Sequence, residues 1–162
     1  MNYQTADICD EHPQKVEVAE PILRHFGGKR CFHGKTFTIK VYEDNVLVRK
    51  AVESPGEGRV LVVDGGGSLR RALLGDRLAA MAADNGWSGV IVNGCIRDSA
   101  EIAKIDLGVA ALATNPRKSH KNGDGDTTIS VSFAGVTIRP GQYIYADEDG
   151  WLVTEQALHS QE

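Results

Sequence analysis

The sequence contains no apolar run approaching the ~20 residues that a membrane span needs, and its opening stretch, MNYQTADICDEHPQ, lacks the charged start and apolar follow-through of an export signal. A cytoplasmic location with no membrane partner is expected. Cysteine is scarce: Cys9, Cys31 and Cys95 are odd in number and far apart, which argues against a disulfide framework and gives no zinc-ligand spacing. Reduced thiols are expected, and Cys95 would act as a nucleophile only with a His base beside it in the fold. A basic excess is missing too. The formal charge is −4, so the basic face that binds nucleic acid directly is not indicated. The pairs Lys29-Arg30, Arg49-Lys50, Arg70-Arg71 and Arg117-Lys118 lie scattered among acidic residues, as on a solvated surface. No internal repeat or low-complexity linker interrupts the chain.

What the sequence does hold suffices for one core. With 162 residues, 41% of them hydrophobic, residues 1–162 read as a single domain with no room for a second core. Thr5 to Asp10 reads as a short helix capped by Thr5, with Pro13 beyond its end. Phe37 to Val41 alternates like a half-buried strand, and Asn45 is placed to cap a helix through Val46, Leu47, Val48 and Val52 that stops at Pro55-Gly56. Val60-Leu61-Val62-Val63 is a continuous apolar run stopped by Asp64-Gly65-Gly66-Gly67, which suits a central strand buried on both faces. Asp76 to Asn85 is rich in helix formers and closes at Asn85-Gly86. Gly89 to Val92 is the next strand, Ser99 to Lys104 a short helix, and Val109 to Ala113 a third strand. This β-α-β-α-β order implies parallel pairing with right-handed crossovers. After Asn115-Pro116 the texture changes: Lys118 to Asp126 is polar and Gly-rich, and strands follow around Ile129 to Phe133, Gly135 to Pro140, Tyr143 to Ala146 and Trp151 to Val153. Asp147-Glu148-Asp149-Gly150 is the turn of a terminal hairpin. The expected fold is α/β: a compact domain with a βαβαβ parallel core and a C-terminal set of antiparallel strands.

In parallel βαβ units ligands bind beyond the carboxyl ends of the strands, where loops and helix N-termini converge. Two loops qualify. The first, Gly65 to Asp76, opens a helix at Gly75-Asp76-Arg77-Leu78, whose free backbone N–H groups and positive dipole end suit a substrate carboxylate. The second, Gly94 to Asp98, leaves the neighbouring strand and brings Arg97-Asp98 close by. A guanidinium offers a planar fork for a carboxylate or enolate, and the adjacent carboxylate is a hard oxygen ligand, so the pair suits a 2-oxo acid held with Mg²⁺. Glu101, three residues after Asp98, would share its face once a helix has begun and would hold a metal-bound water. Structural roles fit the same spacing: Asp98 or Asp76 as a helix cap, and Arg97 paired with Asp98 or Glu101.

A resemblance covers nearly the whole chain. It runs through Thr5-Ala6-Asp7-Ile8-Cys9-Asp10, Phe26-Gly27-Gly28, Phe32-His33-Gly34, Tyr42-Glu43-Asp44-Asn45 and Arg59 to Arg70, and on through Ala72 to Asp76, Asn93 to Asp98, Asn115 to Lys118 and Tyr145 to Gly150. On these stretches the sequence resembles the RraA-like family, which joins regulators of ribonuclease activity with 4-hydroxy-4-methyl-2-oxoglutarate (HMG) aldolases. The family's aldolase pattern is an Asp, twenty intervening residues, then Arg-Asp-x-x-Glu or Asp; Asp76, Arg97, Asp98 and Glu101 reproduce it. The resemblance implies a swivelling β/β/α fold and a homotrimer. It implies substrate carboxylate binding by the amides of Gly75 to Leu78, Arg97 on the pyruvyl oxygen, Asp98 on a divalent cation (Mg²⁺, or Mn²⁺), and Asp76 positioning water or a proton relay. Longer members carry a C-terminal extension that brings a carboxylate to the neighbouring subunit's site, whereas this sequence stops at Glu162, so no residue is assigned as the general base.

The implied activity is metal-dependent lysis of a small 2-oxo acid, HMG, to pyruvate, with oxaloacetate decarboxylation as a second reaction through the same enolate. The alternative is a protein that binds and restrains a ribonuclease partner, for which an Arg-Asp-x-x-Glu metal site has no use. A methyltransferase is suggested by Val62-Val63-Asp64-Gly65-Gly66-Gly67, but the next strand ends Val92-Asn93 where a ribose-binding acid would be expected.

Overall fold

A computed structural model describes residues 3–158. Glu162, at which the expectation about the missing extension was placed, lies outside them. In chain order the elements are α1 (Thr5–Glu11), β1 (Val16–Val18), β2 (Arg24–His25), β3 (Phe32–Lys40), α2 (Val46–Glu53), β4 (Val60–Asp64), β5 (Ala72–Leu74), α3 (Asp76–Asp84), β6 (Gly89–Ile96), α4 (Ser99–Ile102) and β7 (Gly108–Thr114). The remaining strands are β8 (Asp126–Thr127), β9 (Val131–Phe133), β10 (Val136–Ile138), β11 (Tyr143–Asp147) and β12 (Gly150–Thr154).

The parallel core is one unit longer than the sequence suggests, because β3 also pairs parallel with β4, Thr36 against Val60 through Lys40 against Asp64. The order β3-β4-β6-β7 advances in one direction. With every crossover right-handed, all three helices then fall on the same face. Alternation along the strands sorts the core accordingly. Leu61, Val63, Val90, Val92, Val109 and Ala111 pack with Val48 and Val52 of α2, Ala79 and Ala82 of α3 and Ile102 of α4. Val60, Val62, Ile91 and Ala110 point the other way, onto Val131, Phe133, Val136 and Ile138 of the β9–β10 hairpin and onto Ile144, Trp151 and Val153. The antiparallel end of the sheet, β3-β11-β12-β1, therefore curls over the helix-free face, giving a β/β/α sandwich. The terminal hairpin is as expected, Asp147 opposite Gly150.

Thr5 is not the cap of α1. Gln4 holds that position, and Thr5 is spent on a long-range contact: its N–H and its hydroxyl donate to the two carboxylate oxygens of Asp147, each at 2.7 Å. Gly94 to Ile96, expected to leave the sheet, instead continue β6 beyond Asn93 as buried strand. Asn93 is accommodated because its amide donates to Asp64 Oδ1 at 2.9 Å, which satisfies the polar side chain inside the core.

Candidate functional site

The extra length of β6 creates the site. Strand β4 pairs with β6 only as far as Asp64 opposite Asn93; beyond that point β5 takes over the same edge, Ala72 opposite Cys95 and Leu74 opposite Ile96. The Arg97 N–H donates to Leu74 O at 2.9 Å. Gly75-Asp76 and Arg97-Asp98 therefore leave adjacent parallel strands side by side.

Gly75 is the N-cap of α3, and Asp76 stands in its first turn rather than capping it. The first internal bond of the turn is Ala79 N–H to Gly75 O at 3.0 Å, so the amides of Asp76, Arg77 and Leu78 have no partner inside the helix. That of Asp76 is already engaged, donating to Asp98 Oδ2 at 3.1 Å. Those of Arg77 and Leu78 are left at the positive end of the helix, beside the cleft.

Asp98 occupies the N-cap position of α4 with φ 59° and ψ 40°, a left-handed conformation, and its side chain makes no cap bond. Its carboxylate turns instead across to α3. Asp98 lacks the helical dihedrals that the same-face spacing to Glu101 assumes; Glu101 pairs with Lys104 at 3.5 Å and does not line the cleft. Among the described residues no ion pair joins Arg97 to Asp98 or Glu101; an Arg97 Nη1 hydrogen bond runs to Pro116 O at 3.4 Å. Gly75 is tight against Asp98 and in ordinary contact with Arg97. A Cβ there would lie 2.8 Å from Asp98 Oδ2 and 3.6 Å from Arg97 Cγ.

These residues line a cleft of about 670 Å³ whose walls include Gly75, Asp76, Arg77, Leu78, Arg97 and Asp98. The lining also includes residues that spacing alone did not mark: Asn45 and Arg49 at the start of α2, and Lys118, Ser119 and Lys121 from the polar segment after β7. Ser119 Oγ donates to Ala72 O at 2.5 Å and Ala72 N–H to Arg117 O at 2.8 Å, tying that segment along β5. Lys121 Nζ donates to Asn45 Oδ1 at 2.5 Å, while the Asn45 amide donates to Leu73 O at 3.2 Å. Partial burial of the ammonium and then the neighbouring Arg97 pull the Lys121 pKa below its ordinary value, with Asp44 opposing them. Six cationic side chains, Arg49, Lys50, Arg77, Arg97, Lys118 and Lys121, face three carboxylates, Glu53, Asp76 and Asp98. A cationic cleft on a protein of net charge −4 favours a small anion with more than one negative charge.

A larger cleft, about 940 Å³, lies at the other end of the parallel strands, beside Gly58 and Ser88. It brings no guanidinium, carboxylate and helix N-terminus together, and its His33 is hydrogen-bonded to Tyr143 at 2.8 Å. In the glycine turn Gly65-Gly66-Gly67, a Cβ on Gly65 would meet Leu73 at 2.5 Å and one on Gly66 would meet Tyr42 at 2.9 Å, while Gly67 faces open space.

The chain resembles known proteins over almost its full length. The family model described as RraA-like, Aldolase/RraA, matches residues 5–153. A protein of Ectopseudomonas mendocina, provisionally named a 4-hydroxy-4-methyl-2-oxoglutarate aldolase, is 58% identical over 98% of each chain. One of Azotobacter vinelandii with the same provisional name is 57% identical over the same shares. Among solved structures, one from Geobacillus kaustophilus described as an S-adenosylmethionine:2-dimethylmenaquinone methyltransferase is 49% identical, with a TM-score of 0.96 over 99% of both chains. The RNA-processing inhibitor RraA of Thermus thermophilus is 43% identical, with a TM-score of 0.95 over 99% of this chain and 97% of that one. By sequence over nearly its whole length and by fold, the chain belongs to the RraA-like family.

Proposed function

We propose that this chain is a divalent-metal-dependent lyase that cleaves HMG into two molecules of pyruvate and also decarboxylates oxaloacetate. The observation that carries the reading is the convergence, in one cationic cleft, of two helix N-terminal amides, the Arg97 guanidinium and the Asp98 carboxylate. The amides of Arg77 and Leu78 take the C1 carboxylate, Arg97 faces the C2 oxygen, and Lys121, which also lines the cleft, receives the C5 carboxylate. Removing the C4 hydroxyl proton turns that C–O bond into a carbonyl and breaks C3–C4. The electron pair passes through C3 and C2 onto oxygen as pyruvate enolate, and protonation at C3 completes the second pyruvate. Arg97 meets the charge that develops on the C2 oxygen, an interaction stronger in the transition state than in the bound substrate. Asp76, beside Asp98 at the cleft wall, positions the water or relay group that moves the proton. Oxaloacetate reaches the same enolate by losing CO₂ and needs no hydroxyl base.

Asp98 fits a hard divalent cation, Mg²⁺ or Mn²⁺: its carboxylate is exposed to the cleft, and Mg²⁺ commonly takes one or two protein carboxylates with substrate oxygens and water. Among the described residues no cluster of three His, Cys, Asp or Glu forms an all-protein cage. When bound, the ion would supply Lewis-acid stabilisation of the 2-oxo acid. The protein is expected to be a homotrimer, and sedimentation as a monomer at micromolar concentration would speak against that.

The decisive assay is pyruvate release from HMG and oxaloacetate by metal-stripped protein, with and without added Mg²⁺. Release that requires Mg²⁺ supports the lyase, and no release from either compound overturns it. The likeness to an RNA-processing inhibitor supplies the second reading, a ribonuclease partner. Retention of a ribonuclease on the immobilised protein, with no pyruvate released, would favour it.

A further inference from the structure

The stretch Tyr42-Glu43-Asp44-Asn45 plays no part in the chemistry above, yet it joins the start of α2 to the polar segment that carries Lys121. Asp44 is 2% exposed and carries a carboxylate between β3 and α2. Its oxygens accept the backbone N–H groups of Val46 at 3.1 Å, Asn122 at 2.7 Å and Gly123 at 3.0 Å, and that of Asp124 as well. Burial alone would raise its pKa, but these donors outweigh burial and hold the carboxyl below its ordinary range. The flanking residues hold the near side of the same loop: His120 N–H donates to Glu43 O at 2.8 Å and Asn45 N–H to His120 O at 3.4 Å. Lys121 is thus gripped on both sides, and its ammonium rests on the side chain of Asn45. Glycine at 123, with φ +86°, lets the chain turn back onto the carboxylate.

From this geometry we infer that Asp44 is a positioning residue that sets the preference for substrates bearing a second carboxylate, acting through Lys121. The inference rests on the lyase reading, in which Lys121 receives the C5 carboxylate. Asp44 itself faces backbone donors and does not border the cleft. No other residue is bonded to both α2 and the segment after Lys121 in this way among the described contacts. A carboxylate is suited to the role because it accepts several N–H groups at once, which a neutral amide cannot do without turning its own donor towards one of them.

The test compares HMG with 4-hydroxy-4-methyl-2-oxopentanoate, in which a methyl group replaces the C5 carboxylate and cleavage yields pyruvate and acetone. For Asp44→Asn, kcat/KM for HMG is expected to fall about ten- to a hundredfold, mostly through KM, while that for the monocarboxylate changes less than about threefold. In Asp44→Asn combined with Lys121→Ala, the loss on HMG should be no greater than that of Lys121→Ala alone, since both act through one contact. Equal losses on the two substrates, or fully additive losses on HMG, overturn the inference. Should Asp44→Asn not fold, Asp44→Glu keeps the charge and displaces the acceptors by one methylene, and it must show the same one-sided loss. A wild-type protein that releases pyruvate from neither compound defeats the lyase reading, and the positioning role falls with it.

Discussion

Gly75→Ala is the smallest change that tests whether the placement of Asp98 matters. The backbone at Gly75 has φ −120° and ψ −172°, extended geometry that alanine adopts without strain. The added methyl is the whole perturbation. It would stand 2.8 Å from Asp98 Oδ2, where ordinary contact begins at 3.4 Å, so the carboxylate must retreat by about 0.6 Å. The neighbouring atom is the end of a side chain, and it yields more readily than β5 or α3. Retreat strains the 3.1 Å bond from Asp76 N–H and moves the oxygens proposed to hold the metal away from the helix N-terminus. Misplacement of a reacting group by about 1 Å can cost on the order of a hundredfold, so kcat/KM for HMG should fall roughly ten- to a hundredfold. The Mg²⁺ concentration for half-maximal rate should rise as well. Alanine is also a poorer N-cap than glycine, by less than about 1 kcal/mol, which for a chain of this size lowers the melting temperature by only about 2–4 °C. Pyruvate release across a Mg²⁺ titration, with thermal unfolding in parallel, reads all three quantities. A folded Gly75→Ala protein with wild-type kcat/KM and unchanged Mg²⁺ dependence would refute the reasoning, because Asp98 would then be free to move without consequence.

Asp98→Asn should keep the fold, since asparagine tolerates the left-handed backbone, but lose Mg²⁺-dependent pyruvate release; wild-type turnover would remove Asp98 from the metal site. Arg97→Lys keeps a charge and loses the planar fork, so kcat/KM should fall by about ten- to a hundredfold, and by similar factors for HMG and oxaloacetate, because the enolate is shared. A lowered melting temperature with undiminished activity would instead assign Arg97 a purely structural role. Lys121 is charged below its pKa, and that pKa is depressed, so KM for HMG should begin to rise at a pH below the ordinary lysine value of about 10.4. Lys121→Arg, charged throughout, should abolish that alkaline rise, and its persistence would clear Lys121 of responsibility.

The elements that could be read from the sequence are those whose burial is two-sided or strongly periodic. Val60 to Val63 announces β4 because both faces are covered, and Asp76 to Asp84 announces α3 because its helix formers end at Asn85-Gly86. Strands β1, β2 and β5 are two or three residues long and carry too little pattern to be seen. Asn93-Gly94 looks like the start of a loop in isolation, and only partners distant in sequence, Asp64 29 residues away with strands β5 and β7, keep this stretch strand. Thr5 looks like a cap, and only Asp147 gives it another use. The site divides in the same way. Gly75, Asp76, Arg97 and Asp98 could be placed together from strand order, whereas the wall carrying Lys121 depends on Asp44, 78 residues from Asn122, a pairing with no local trace. Glu101 does not line the cleft, and the same-face rule that marked it assumes helical dihedrals at Asp98, which it does not have.

The left-handed backbone at Asp98 has an evolutionary side. A residue with a Cβ held there forfeits about 1 kcal/mol or more, least for Asp and Asn, whereas glycine forfeits nothing in the folded state and gives back about 0.4–1 kcal/mol through a freer unfolded chain. Folding is thus nearly indifferent among Asp, Asn and Gly at this position and hostile to the rest, while the proposed metal-dependent lysis accepts Asp alone. On that proposal, drift at position 98 is channelled down two exits, each leaving an intact scaffold with a silent cleft. A descendant that keeps Asp76 but carries Asn or Gly at this position would therefore be a well-folded protein that has left catalysis by one codon, free to be selected for what its surface binds.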